Sequence, residues 1–84
     1  MNIWLLSAIE ENGYDTCDGF VVRAATEADA RALAQAQGGD ERWEWGVVGE
    51  LIERPYWTDP NKSSCVELAT DGEAKVILRS FNAG

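Results

Sequence analysis

The sequence predicts an α+β fold in which one helix packs on one face of an antiparallel sheet, in the order β-β-α-(irregular)-β-β. Three observations predict it. Apolar residues alternate with period two at both ends of the chain, one capped run of helix formers lies between them, and a Trp- and Pro-rich stretch keeps neither period. At 84 residues the chain is read as one domain, residues 1–84, because there is no length for a second core.

Residues 3–9, IWLLSAI, read as a strand, with Ile3, Leu5 and Ser7 pointing one way and Trp4, Leu6 and Ala8 the other. Residues 19–25, GFVVRAA, read as its partner, with Phe20, Val22 and Ala24 inward and Val21 and Arg23 outward. The acidic stretch ENGYDTCDGF, residues 11–20, then becomes the connection of a long hairpin.

The helix is announced by Thr26, a good N-cap, and by Asp29 three residues on, a weaker form of the capping box. Glu27 and Asp29 stand where the helix dipole favours negative charge. The body EADARALAQAQ consists of strong helix formers, with Ala30, Leu33 and Ala34 on one face, and Gly38-Gly39 stops it. An inner face rich in alanine lets such a helix lie close to a sheet.

From Asp40 to Lys62 the pattern loosens. Val47, Val48, Leu51 and Ile52 fit a short helical turn or an irregular strand equally well. Pro55 and Pro60 exclude a regular central strand through RPYWTDP. Two last strands follow: SCVELAT, with Val66 and Leu68 inward, and AKVILRSF, in which Val76, Leu78 and Ser80 alternate against Ile77, Arg79 and Phe81. Between them TDGE reads as a hairpin turn, since Asp-Gly tolerates the positive φ angles such turns need.

Composition narrows the chemistry. Fifteen acids against seven bases give a net charge of -8, and histidine is absent. Contact with phosphates needs Lys and Arg, so neither direct nucleic-acid binding nor an anionic membrane is expected; a basic partner is. The opening MNIWLLSAIEE has no basic region and only about six apolar residues before Glu10, too little for a signal peptide or a membrane span. Cytoplasmic placement follows as an expectation, with Cys17 and Cys65 reduced.

The acidic stretch fails as a metal loop. With Gly19 as the sixth position of a calcium loop, the first is Tyr14, the third Thr16 and the twelfth Ala25; the frame from Asp59 puts Ser64 and Thr70 at the sixth and twelfth. Two cysteines 48 residues apart without histidine make no zinc site. No metal or other cofactor is expected. Nor is an enzyme: a Ser-His-Asp or Cys-His arrangement needs histidine, and no phosphate-binding glycine motif is present. A carboxylate pair such as Asp15 and Asp18 lacks a substrate pocket in so small a domain.

Two features are left as candidate partner-binding surface. Glu10, Glu11, Asp15 and Asp18 stand in the first 22 residues without a single base, and Asp40, Glu41, Glu44, Glu50 and Glu53 follow, relieved only by Arg42 and Arg54. A net -8 matches the phosphates on roughly 14 Å of duplex, against a radius of gyration of about 12 Å for a domain this size. Mimicry of a short DNA stretch is physically open, beside the plainer reading that acids keep a small protein soluble. The second feature is the aromatic set Trp43, Trp45, Tyr56 and Trp57, which serves either to close the core or to anchor an interface.

A resemblance adds to this. WLLSAIEENGYDTCDGFVVRAATEADAR and KVILRSFNAG resemble a group of small acidic bacteriophage and prophage proteins. These open with a strand ending in Leu-Ser or Ile-Ser, pass through a Tyr-Asp-x-x-Asp turn into a valine-rich strand, and close on Ser-Phe-Asn-Ala-Gly. The matching positions are Leu6, Ser7, Tyr14, Asp15, Asp18, Val21, Val22, Ala24, Glu27, Ala30, Arg31 and residues 80–84; residues 38–62 match loosely. The resemblance implies phage origin and a bacterial host cell rather than an activity. Small acidic phage proteins include anti-CRISPR inhibitors, which bind host CRISPR effectors, often at DNA-contacting surfaces. The expectation is a phage-encoded, non-enzymatic inhibitor or adaptor of a basic host protein. The alternative is an accessory or virion-assembly protein whose partner has no nucleic-acid role.

Overall fold

A computed structural model of the chain describes residues 1–9, 13–69 and 75–82, with residues 69 and 75–82 described by backbone and strand pairing. Its fold is α+β, as the sequence predicts. β1 (Asn2–Ala8) and β2 (Thr16–Ala24) pair antiparallel at the centre of a four-stranded sheet, and β5 (Ser63–Ala69) and β6 (Lys75–Asn82) take the two outer edges in the order β5-β1-β2-β6. Helix α1 (Glu27–Ala36) covers one face. A separate two-stranded sheet, β3 (Trp43–Trp45) with β4 (Leu51–Glu53), follows a 3-10 turn over Asp40–Arg42.

β1 has the expected phase: Trp4 and Leu6 are buried toward α1, and the Trp4 indole donates to the Ala24 carbonyl at 3.0 Å. β2 starts three residues earlier than its alternation suggests, so Thr16, Cys17 and Asp18 are strand rather than connection. The register slips between Cys17 and Gly19, and this bulge adds a residue that puts both Cys17 and Phe20 into the core. Gly19 is a close-approach glycine here, since a Cβ would stand 2.8 Å from the Leu6 carbonyl oxygen. The connection itself falls at residues 9–15, of which 10–12 lie outside the described residues.

In α1 the Thr26 hydroxyl accepts from the Asp29 amide at 3.1 Å, the expected cap. Ala30 and Ala34 are fully buried and Leu33 packs beside them half-buried. Arg31 is buried too, which alternation of apolar residues does not foretell. Its Nε meets Glu27 at 2.8 Å, and Nη1 donates to the Trp57 carbonyl at 3.0 Å and to the Ser63 carbonyl and hydroxyl. The guanidinium thereby ties α1 to the irregular segment and to the start of β5.

The C-terminal half departs from expectation in three ways. β5 has the opposite phase: Leu6 pairs with Cys65 on the helix side, so Val66 faces away and Val66 and Leu68 are exposed, at 53% and 56%. Sliding the phase by one residue exchanges the faces, and pairing with β1 rather than local apolarity sets it. β5 and β6 do not form a hairpin. The TDGE turn at residues 70–73 lies outside the described residues, but the strands it was to join stand on opposite edges, roughly 14 Å apart at the usual strand spacing. β1 and β2 each leave one edge free, and each outer strand fills one. Finally, the β6 register slips opposite Val21 and Val22, so its pairing does not keep strict alternation from Val76 to Leu78.

Candidate protein-binding site

Residues 43–53 form neither a helical turn nor part of the main sheet. They make a hairpin in which Trp43 pairs with Glu53, Glu44 with Ile52, and Trp45 with Leu51. Every residue of both strands is exposed. The five-residue connection carries Val47 and Val48 at its tip, 103% and 87% exposed. With the hairpin included, the molecule measures 44 × 23 × 19 Å and has a radius of gyration of 12.9 Å, above the roughly 12 Å of a compact chain this long.

The tip is held in shape. The Gly46 amide donates to the Glu50 carbonyl at 2.7 Å, the Gly49 amide to the Gly46 carbonyl at 3.1 Å, and the Val48 amide to the Glu50 carboxylate at 3.1 Å. Gly49 has φ +84, a conformation that favours glycine. The base is held more firmly still. The Arg54 amide donates to the Arg42 carbonyl at 2.7 Å, and Arg54 Nε to the Glu41 carbonyl at 2.7 Å. Arg42 Nη1 reaches the Gln35 and Ala36 carbonyls at the end of α1, where unpaired helix carbonyls favour a cation. Gln35 donates to Glu53 and to the Arg54 carbonyl, and its own oxygen accepts from the Tyr56 and Trp57 amides. Both bases of the segment thus bond backbone carbonyls at the hairpin's foot.

The eight candidate residues divide. Trp43 and Trp45 are surface, at 39% and 73% exposure; with Asp40 and Leu51 they line an open cleft of about 350 Å³. Arg42 stands 5.3 Å from the Trp43 ring centroid. Asp15 and Asp18 are exposed. Glu10 and Glu11 lie outside the described residues. Tyr56 and Trp57 are core, and the interface reading of this pair does not hold: Trp57 is fully buried, edge-on to Phe20 at 4.9 Å and to Tyr56 at 5.2 Å. The Gln35 side-chain oxygen accepts from both their amides and holds them against α1, while Trp43 and Trp45 lie in the exposed hairpin strand.

Glu41 also leaves the acidic surface. It is 2% exposed, and its carboxylate accepts from the Cys17 amide at 2.9 Å, the Gly39 amide at 3.0 Å and the Trp57 indole at 2.6 Å. The same segment brings the two sequence candidates together. The Asp40 amide donates to the Asp15 carbonyl at 2.8 Å, so the Tyr14–Asp15 turn abuts the foot of the hairpin. Asp15 has φ 60, which Asp tolerates better than most residues.

Sequence reasoning missed Val47, Val48, Leu51, Ile52 and the exposed Tyr14 as surface. The available signal was the pair of glycines around Val47-Val48, a turn whose apolar centre reads as core. Burial pushes the Cys65 thiol above its ordinary value, an effect moderated by Arg31 and reinforced by Glu27. Neither Cys17 nor Cys65 is in a disulfide. Among the described residues no group of three acids or cysteines is placed to hold a metal ion, and no helix is long and apolar enough to cross a membrane. Comparison of the chain with known protein families, with curated proteins and with solved structures gives no match.

Proposed function

We propose that this chain is a phage-encoded, non-enzymatic inhibitor or adaptor that grips a basic host protein with the β3–β4 hairpin and the acids beside it. The partner class proposed is a nucleic-acid-binding protein, a CRISPR effector subunit foremost, met in the cytoplasm of the host. One observation carries the reading. Trp45, Val47, Val48 and Leu51 stand exposed together on a hairpin fixed by its own hydrogen bonds, with Asp40, Glu44 and Glu50 exposed around them.

Contiguous exposed apolar surface rimmed by polar groups marks interaction sites, and tryptophan is among the strongest anchors of interfaces. A hairpin already in shape loses little freedom on binding, so more of its contact energy shows as affinity. The carboxylates select a basic partner and speed encounter, and they oppose contact with phosphate-bearing nucleic acid or anionic lipid.

The test uses the purified protein as bait in host lysate, followed by titration of the isolated partner with wild type, Trp45→Ala and Val48→Asp. A basic nucleic-acid-binding partner, bound at least tenfold more weakly by both variants, is the expected result. Unchanged affinity of both variants would remove the hairpin from the interface. A captured partner without a nucleic-acid role, lost in the same variants, favours the accessory or assembly reading.

A further inference from the structure

Trp43 and Trp45 share one face of the hairpin. Trp43 pairs with Glu53 and Trp45 with Leu51, so these four side chains lie on one side of the ribbon and Glu44 and Ile52 on the other. On that side Trp43, Trp45, Leu51 and Asp40 line the open cleft of about 350 Å³. This is the lower end of the roughly 300–1,000 Å³ usual for ligand sites, which gives room for one side chain rather than an extended segment.

Two groups of the cleft are unused within the chain. The exposed Asp40 carboxylate belongs to neither described ion pair, Arg31–Glu27 or Arg42–Glu53, and accepts no hydrogen bond among the described residues. Trp45 is 73% exposed, and no described ring or guanidinium lies on it. Its neighbour shows what an indole accepts at this place: the Arg42 guanidinium stands 5.3 Å from the Trp43 ring centroid. That guanidinium is engaged with the Gln35 and Ala36 carbonyls and with Glu53, which leaves Trp45 and Asp40 without a cation.

We propose that this cleft is an arginine pocket, in which a guanidinium lies on the Trp45 indole and donates to the Asp40 carboxylate. That the arginine is the basic partner's rests on the function proposed above. Charge selects the occupant. Between residues 40 and 54 five acids stand against two arginines, and Asp40, Glu44 and Glu50 are exposed, so a cation is drawn in and an anion repelled. An aliphatic side chain would cover Asp40 and leave its carboxylate desolvated without a partner. Between the two cationic side chains, the ammonium of lysine is compact and strongly hydrated. The guanidinium is planar and weakly hydrated; it stacks on an aromatic face and keeps its edge N–H groups for a carboxylate.

Titration of the isotope-labelled full chain with N-acetylargininamide, followed by NMR of the indole N–H resonances, tests this. One exposed cation–π contact and one exposed ion pair give a Kd on the order of 30 mM. The Trp43 and Trp45 indoles are expected to shift saturably. Those of Trp4 and Trp57, which donate to the Ala24 carbonyl and to Glu41 inside the fold, stay in place. The uncharged citrulline analogue gives no saturable shift, and the lysine analogue binds at least threefold more weakly. Asp40→Asn weakens arginine binding at least threefold with an unchanged circular dichroism spectrum, whereas Glu67→Gln, which removes an exposed acid on β5, leaves it unchanged. Equal shifts with the citrulline or lysine analogue overturn the inference, and so does wild-type affinity in Asp40→Asn. The probe needs no partner, so the two readings fail separately. A host partner lost on Trp45→Ala, without an arginine-specific shift, overturns the arginine pocket and leaves the hairpin as the interface. An arginine-specific shift in a chain that captures no basic partner supports the pocket and removes the proposed function.

Discussion

The Trp57 indole donates to the Glu41 carboxylate at 2.6 Å, and this bond joins the centre of the core to the segment that launches the hairpin. The same carboxylate holds the Cys17 amide of β2 and the Gly39 amide after α1. One acidic side chain thus fixes three separate parts of the fold, through three neutral N–H donors.

Removing that acceptor strands three donors in a buried place. Glu41→Ala is expected to cost roughly 3 kcal/mol or more, which for a domain of this size lowers Tm by about 12 °C or more. Glu41→Gln keeps one acceptor oxygen and is expected to lose about half as much. Thermal unfolding followed by near-UV circular dichroism reads both. A Tm within 3 °C of wild type for Glu41→Ala, well inside the scatter of neutral surface changes, would show the clamp to be dispensable.

Gly38 leaves room for that clamp. A Cβ there would stand 2.8 Å from the Glu41 carboxylate and 3.2 Å from the Trp57 ring. Gly38→Ala is therefore expected to destabilise by about 1–3 kcal/mol through overpacking. Denaturant titration checks it: the midpoint should fall while the m-value stays constant.

Amide exchange should rank the elements. β1 and β2 are paired on both sides, so amides within 3–7 and 19–23 are expected to exchange slowest. The β3–β4 hairpin, exposed throughout, is expected to exchange orders of magnitude faster. Equal protection in both regions would mean that the hairpin opens only with the whole domain.

The Cys65 thiol carries a pH signature. Burial holds it above its ordinary value of 9.0, so over the interval between the unfolded and folded values the native chain keeps a proton the unfolded chain has released. The unfolded state then binds fewer protons, and stability falls as pH rises through that interval; below it the contribution is fully present. Urea midpoints between pH 8 and 10.5 should show this decline, and Cys65→Ser should flatten it. An unchanged slope in the variant would assign the decline to other groups.

Charge in the stretch from Glu10 to Asp18 should govern partner capture and not folding. The combined variant Glu10→Gln, Glu11→Gln, Asp15→Asn and Asp18→Asn is expected to keep its Tm, since Asn tolerates the left-handed backbone at Asp15. It should also bind a basic partner more weakly and with a flatter salt dependence, because steering by opposite charge is screened beyond about 10 Å. Unaltered binding at low salt would leave Trp45 and the valine tip as the whole of the contact.

What the sequence determined by itself is what short-range physics controls. The Thr26 cap, the alanine face of α1, the phase of Trp4 and Leu6, and that of Phe20, Val22 and Ala24 follow from periods and caps within a few residues. Tertiary structure decided the rest. Val66 is exposed and Cys65 turned inward because β5 pairs with β1, and no local pattern encodes that register. TDGE has the chemistry of a hairpin turn, yet β5 and β6 occupy opposite edges because those were the edges β1 and β2 left open. Among Trp43, Trp45, Tyr56 and Trp57 nothing in composition separates anchor from core. The separation comes from Gln35, Glu41 and Arg54, which bond residues 13 to 24 positions away, turn Trp57 under α1 and send Trp45 into solvent. Polar contacts at such separations depend on the whole chain having folded, which is why the sequence offered four tryptophan and tyrosine candidates and the fold left two at the surface.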